Sequence, residues 1–293
     1  MELRQLKYFL KAKELSNFTE AAKELYITQS TLSQQIKQLE IELDTLLFNR
    51  VGKRVTLTEA GELFAQYAQQ SIKKSEEGKS MLSDLNNLQV GTLTIGVTLG
   101  LQRLFTKAVL EFALRYPHIR IEAVFGASHR LVKDLENMEM DMVLVFNESR
   151  DNPNYIYKAL FDSPLAMVSS VHSPYSYRKS ITLKEMEKLP LLVATKGFST
   201  DHVISRAFAQ QALKPTFHME INDIPTALEL VKSGNWHSIL VQASVLDKDL
   251  VTIPIADIKQ KRTAMLIRMQ DTYQKKAMKA FQELLEEYGN EGG

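Results

Sequence analysis

The sequence contains no cysteine. That excludes disulfides, thiolate metal ligands, cysteine nucleophiles and thiol redox sensing. Glycine is scarce: 12 of 293 residues, about 4% against an ordinary ~7%. Gly-rich loops that cradle a cofactor are disfavoured accordingly. Proline is absent from residues 1–90, which read almost entirely as helix. No apolar run approaches the ~20 residues of a membrane helix. The N-terminus, Met1-Glu2-Leu3-Arg4-Gln5-Leu6-Lys7, lacks the apolar core of a signal peptide, so a cytoplasmic protein is expected, without membrane contact. Neither sign of charge dominates: 36 Lys and Arg against 35 Asp and Glu give a net charge of +1. Any nucleic-acid site must therefore be local. No nucleophile elbow, zinc-protease, P-loop or dinucleotide motif occurs. His118, His129, His172, His202, His218 and His237 show no metal-ligand spacing. No catalytic residue, metal or cofactor is expected.

A chain of 293 residues with 44% hydrophobic and 24% charged residues is ordinary globular material, long enough for two or three domains. Its character changes near residue 90. From Gly91 onward, β-rich runs alternate with helical ones, as in 92–97, 119–125, 142–146 and 191–194. That alternation predicts an α/β region with a largely parallel sheet.

The first sixty residues carry a finer pattern. Leu3, Leu6, Phe9 and Leu10 fall at helical spacing, Ser16-Asn17 punctuates, and a short helix runs from Phe18 to about Leu25. Thr28 suits the N-cap of a third helix. At ~100° per residue, Leu32, Ile36, Leu39 and Leu43 lie at roughly 0°, 40°, 340° and 20°, one narrow apolar face. Ser33, Lys37, Ser30 and Gln34 lie opposite, at roughly 100°, 140°, 160° and 200°. No acidic residue occurs between Thr28 and Gln38. A solvated surface helix could look the same. A short helix, a tight turn and a helix with this face nevertheless form a helix-turn-helix, whose second helix enters the major groove. Gln29, Ser30, Ser33 and Gln34 are the candidates for base edges, with Lys37 beside them.

The segment Phe48–Thr58 reads as a β-wing with Arg50, Lys53 and Arg54 and no acidic residue. These three cations, with Lys7, suit phosphates. A long helix follows, with Thr58 as N-cap and Phe64, Tyr67, Ser71, Ser75, Gly78, Leu82 and Leu85 as a near-heptad seam for dimerisation.

The blocks Ala21-Ala22, Thr28-Gln29-Ser30-Thr31-Leu32-Ser33-Gln34-Gln35-Ile36-Lys37-Gln38-Leu39-Glu40, Leu47-Phe48-Asn49-Arg50 and Leu57-Thr58-Glu59-Ala60-Gly61, with their spacing, resemble a LysR-type transcriptional regulator. The weaker pattern of the remaining chain also fits that family. The resemblance implies a winged helix-turn-helix over residues 1–58 and a linker and dimerisation helix over 59–89. It further implies two Rossmann-like subdomains of periplasmic-binding-protein type, 90–162 with 266–293 and 163–265. The expected function is a sequence-specific regulator that switches transcription when a small molecule binds between the subdomains. The implied partners are double-stranded operator DNA, that effector, a second or further copies of the chain (homodimer or homotetramer) and RNA polymerase. The lack of cysteine excludes the family's peroxide-sensing variant. Gln34 stands where an Arg is common, and Glu139 where a Gly is usual. Ser233-Gly234-Asn235-Trp236 keeps only the first Gly of a frequent Gly-x-Gly run.

Ligands of open α/β sheets bind beyond the carboxyl ends of strands. That rule selects Thr98, Leu99 and Gly100, then Ser128, then Phe146 and Asn147. In the second subdomain it selects Thr195, Lys196, Gly197 and Phe198, then Asn222 and Asp223. Caps and loops also favour such residues. Lys196 and the helix N-termini point to an anionic or polar effector. A solute-binding protein shares this architecture, but the winged helix and the missing signal peptide argue against that alternative.

Overall fold

The computed structural model describes residues 1–51, 54–85, 90–147, 151–194 and 200–290; the side chains of 50, 51, 54, 83–85, 147, 194, 201 and 202 also lie outside that description. The chain divides into an N-terminal unit and a larger regulatory unit.

In the N-terminal unit, helices α1 (Leu3–Leu15), α2 (Phe18–Glu24) and α3 (Gln29–Glu42) precede strands β1 (Phe48–Val51) and β2 (Arg54–Leu57), then helix α4 (Glu59–Leu85). Asn17 accepts from the backbone N–H groups of Thr19 and Glu20, so the Ser16-Asn17 break is a helix cap. Tyr26, with φ of 56°, makes the turn between α2 and α3. The strands pair antiparallel, Phe48 opposite Leu57 and Val51 opposite Arg54. Phe9 centres the core, its ring 5.4 Å from that of Phe48 and 5.3 Å from that of Phe64. Phe64 therefore turns inward and leaves the expected seam of α4. Ala65, Ala68 and Ile72 share its inward face, while Leu63, Tyr67, Met81 and Leu82 stay exposed.

The regulatory unit has two lobes. In the first, β3 (Gly91–Val97) pairs parallel with β4 (Ile119–Phe125) and β5 (Met142–Asn147), with helices α5 (Gln102–Arg115), α6 (Ser128–Glu136) and α10 (Lys276–Asn290). In the second, β7 (Leu191–Ala194) pairs parallel with β8 (Phe217–Ile221) and β9 (His237–Val241), with helices α7 (Leu183–Met186), α8 (Asp201–Gln210) and α9 (Ile224–Lys232). Two strands join the lobes. β6 (Tyr155–Ser170) and β11 (Lys261–Met269) run antiparallel, and β11 also pairs antiparallel with β5. The far half of β6 pairs with β9 and with β10 (Leu250–Pro254).

The expected largely parallel sheet is thus corrected to a mixed one, because each crossing strand runs against its neighbours. Pro164 sits where β6 passes from one sheet to the other, opposite Lys261. A residue without an N–H fits such a handover. Thr263 already pairs with Asn147 of the first lobe, so the expected boundary at residue 265 falls inside β11.

The turn at Glu139, where the resemblance leads one to expect a Gly, is made without one. Met138 takes the left-handed conformation, φ 61°, one residue earlier. In the second lobe His237 is buried; its Nδ1 lies 3.0 Å from Ser169 Oγ and its ring meets that of Tyr175 edge-on. Burial disfavours the imidazolium and holds its pKa below the ordinary 6.5. The unfolded chain therefore takes this proton first. Its contribution to stability is complete above pH 6.5 and is lost as pH falls from 6.5 towards the lower folded value. Thermal melts of wild type and His237→Gln from about pH 7.5 to about pH 5 should show the wild type losing stability faster. Parallel curves would remove His237 as the cause.

Candidate DNA-binding and effector-binding sites

The start of α3 is held by hydroxyls. Thr28 Oγ1 accepts from the Thr31 N–H at 3.1 Å and shares hydrogen bonds with the hydroxyls of Ser30 (2.9 Å) and Thr31 (2.7 Å). Leu32, Ile36 and Leu39 are fully buried. Gln29, Ser30, Gln34 and Lys37 are exposed and Ser33 is half-buried. Gln29 Nε2 donates to Ser33 Oγ at 2.8 Å, so two of the expected base readers occupy each other. Among the described residues, nothing bonds the side chains of Gln34 or Lys37. These two project beside Gln29, Ser30 and Ser33, whose side chains bond each other or Thr28.

The wing is fastened to this helix by a residue the sequence reading did not single out. Glu40 is buried at the end of α3, and its Oε1 accepts from the N–H groups of Leu47 (2.9 Å) and Phe48 (3.2 Å). An acidic residue directly after Leu39 of the apolar stripe was the available signal. Thr58 closes the wing, its N–H donating to the Leu47 carbonyl at 3.0 Å and its Oγ1 capping α4 through the Gly61 N–H at 2.9 Å. Arg50, Lys53 and Arg54 lie outside the described side chains.

In the regulatory unit, the ends of β3 and β5 bring Thr98, Leu99, Gly100 and Phe146 together. The Thr98 N–H donates to the Leu144 carbonyl at 2.9 Å. A short 3-10 turn, Leu99–Leu101, then meets another from the second lobe, Gln242–Ser244. The approach is close. A Cβ on Gly100 would stand 2.4 Å from Ser244 Oγ and 2.8 Å from the Phe146 ring. Ser128 is half-buried at the first position of α6. Asp223 caps α9 by accepting from the Thr226 hydroxyl and N–H, which hold its carboxyl below the usual range. Asn222 is exposed just before it. The first turn of α9, at Ile224 and Pro225, shares a groove of about 360 Å3 with Leu99, Gln102 and Ser244. The side chain of Asn147, and residues Thr195, Lys196, Gly197 and Phe198, lie outside the described residues. Trp236 is half-buried against the apolar cluster around Val231 and Leu240.

Arg262 is the functional candidate that sequence reasoning missed. It is buried at the crossing, and its Nη2 donates to the Phe146 carbonyl at 3.3 Å, at the end of β5. An arginine inside an apolar strand was the signal. A buried guanidinium costs several kcal/mol to desolvate. Among the described residues no His, Asp or Glu cluster could hold a metal ion, and no helix is long and apolar enough to cross a membrane.

Comparison with known proteins agrees with this architecture. Residues 3–62 match the bacterial regulatory helix-turn-helix model of the lysR family, and residues 86–290 match the LysR substrate binding domain. The HTH-type transcriptional regulator BsdA of Bacillus subtilis is 30% identical over 82% of this chain and 83% of its own length. A probable RuBisCO transcriptional regulator of Phaeodactylum tricornutum is 27% identical over 99% of this chain and 97% of its own. Among solved structures, full-length OxyR from Pseudomonas aeruginosa superposes with a TM-score of 0.75 at 22% identity, covering 97% of this chain and 94% of that one. Full-length CbnR complexed with its target DNA gives 0.69 at 20% identity, covering 98% and 100%. The chain belongs to the LysR family: it is a DNA-binding transcriptional regulator with an effector-binding region, and not an enzyme.

Proposed function

We propose that α3 reads a pseudo-palindromic operator mainly through Gln34, with Ser30, Ser33 and Gln29 in support. Lys7, Arg50, Lys53 and Arg54 hold phosphates, and Lys37 lies beside the base-reading residues. The observation that carries this reading is the pair Gln34 and Lys37, exposed and without a hydrogen-bond partner among the described residues, beside Gln29, Ser30 and Ser33, whose side chains are engaged with their neighbours. The exposed apolar residues Leu63, Tyr67, Met81 and Leu82 of α4 support pairing of two chains, as a homodimer or within a homotetramer. A small anionic effector occupies the cleft at the ends of β3 and β5. Buried Arg262 beside Phe146 supports that charge preference. The effector binds the two lobe arrangements with unequal affinity and so shifts their balance. The protein acts in the cytoplasm, with RNA polymerase as a further partner.

Immunoprecipitation of the tagged protein from its own cells, with sequencing of bound DNA, tests the operator reading. A few sharp peaks sharing an imperfect inverted repeat are expected. On that site Gln34→Ala should cost about 1–3 kcal/mol and relax preference at one base pair. Arg50→Ala should weaken all sequences alike and flatten the salt dependence by about one unit. Altered base preference in Arg50→Ala alone would overturn the division of labour.

A further inference from the structure

Tyr26 combines a costly backbone with an idle side chain. It is 96% exposed, and among the described residues its hydroxyl and ring have no partner. It holds the left-handed conformation, φ 56°, just beyond α2. Its N–H donates to the Lys23 carbonyl at 3.1 Å, and the Ile27 N–H donates to the Ala22 carbonyl at 3.0 Å. Those two bonds define a helix ending that ordinarily takes Gly or Asn, because a Cβ is disfavoured in this conformation.

The chain meets the same demand elsewhere with other side chains. Among the described residues, the remaining non-glycine positions of positive φ are Ser16, Asp44, Met138 and Ala212. Three of these are short, and Met138 is half-buried. Tyr26 alone joins a large side chain to nearly complete exposure. Within one chain its ring therefore adds strain and returns no packing.

Its place in the fold supplies a use. Tyr26 comes three residues before Gln29, at the end of α3 that meets the groove when a helix-turn-helix docks. The other polar side chain of this turn, Thr28, is engaged by Ser30 and Thr31. The N–H groups of Tyr26 and Ile27 are taken by α2. The Tyr26 hydroxyl is thus the side-chain donor of the turn left without a partner. No acidic residue stands in the first turn of α3, and the positive end of its dipole favours an anion nearby.

We propose that Tyr26 is a further DNA-contact residue, its hydroxyl donating to a backbone phosphate at the border of the groove that α3 enters. The ring packs on the adjoining sugar. This rests on the reading of α3 as the recognition helix. A contact to phosphate carries no sequence information, and a neutral donor releases no counterion. Tyr26 therefore adds affinity and fixes the seating of α3, whereas Gln34 discriminates bases and the wing cations set the salt dependence.

Fluorescence anisotropy titrations of the full-length protein test this on two labelled duplexes. One carries the inverted repeat recovered by immunoprecipitation, and the other has a scrambled sequence. Tyr26→Phe, which removes only the hydroxyl, should weaken binding to both by about tenfold, as expected for a hydrogen bond to a charged group. Tyr26→Gly should weaken both at least as much and yet melt at or above the wild-type temperature, because the left-handed strain is relieved. Weaker binding by a protein that melts no lower is not a folding defect. Both variants should keep the wild-type salt slope, unlike Arg50→Ala. Wild-type affinity of both variants for both duplexes overturns the proposal. Loss of transcription from the operator at unchanged affinity also overturns it, and makes Tyr26 a contact for a protein. Weakening confined to the operator duplex overturns the phosphate assignment in favour of base reading. If the wild-type protein binds neither duplex, the recognition-helix reading itself falls, an outcome separate from any comparison of variants.

Discussion

Lys275→Met should destabilise the regulatory unit by about 3 kcal/mol, a fall of roughly 6–12 °C in its melting temperature. Asp141 is buried at the entry to β5, and its Oδ2 accepts from the Thr94 N–H at 3.0 Å and from Lys275 Nζ at 2.8 Å. The same ammonium donates to the Thr92 carbonyl at 2.8 Å. One side chain thus ties the segment before α10 to β3, across more than 180 residues of chain. Removing the cation leaves a carboxylate in the protein interior with its charge uncompensated by Lys275. That cost exceeds what the apolar methionine recovers, since breaking a buried pair costs about 3–5 kcal/mol whereas replacing both partners is often nearly neutral. Asp141→Asn/Lys275→Met should therefore be more stable than the sum of the single losses predicts. A double-mutant cycle from thermal or urea unfolding reads this directly. Strict additivity would show that the two groups do not interact.

This pair also marks the limit of what the sequence alone revealed. Nothing in the sequence pattern links Asp141 with Lys275, 134 residues further along the chain. Periodicity reports that a face is buried, not which distant residue it meets. The helix-turn-helix was legible because its determinants are local: the Thr28 cap, the Leu32–Ile36–Leu39 stripe and the Thr58 cap all act within a few residues. Phe64 was misplaced because spacing along α4 fits two faces equally well, and only the packing of Phe9 selects one. β6 does not stand out among the β-rich runs of the sequence. Its first half is partly exposed and its second half almost wholly buried, so it follows no single alternation. The cleft was legible as strand ends, which brought Thr98, Leu99, Gly100 and Phe146 together. Arg262 was not, because its strand pairs back from the other lobe and its contact with Phe146 spans 116 residues.

Gly61→Ala should destabilise the N-terminal unit by about 2 kcal/mol and abolish operator binding with it. The sign is not obvious, because Gly to Ala inside a helix is by itself worth about 1 kcal/mol of stabilisation. Geometry reverses it. A Cβ on Gly61 would stand 2.2 Å from the Leu47 carbonyl oxygen and 3.0 Å from Leu57 Cδ2. The carbonyl cannot yield cheaply. Leu47 is buried, its N–H is held by Glu40 at 2.9 Å and its oxygen by the Thr58 N–H at 3.0 Å. Relief requires either lifting the first turn of α4 away or moving the entry to β1. Both break the link from α3 through Glu40 to the wing, and so the register between the recognition helix and the wing cations. Gly78→Ala is the internal control. It lies in the same helix with nothing within 4 Å of its Cβ position, and should stabilise by up to about 1 kcal/mol. Opposite signs for two identical substitutions in one helix would attribute the loss to the Leu47 contact. If Gly61→Ala melts at or above the wild-type temperature and keeps operator affinity, the Leu47 carbonyl is free to move and the wing does not depend on it.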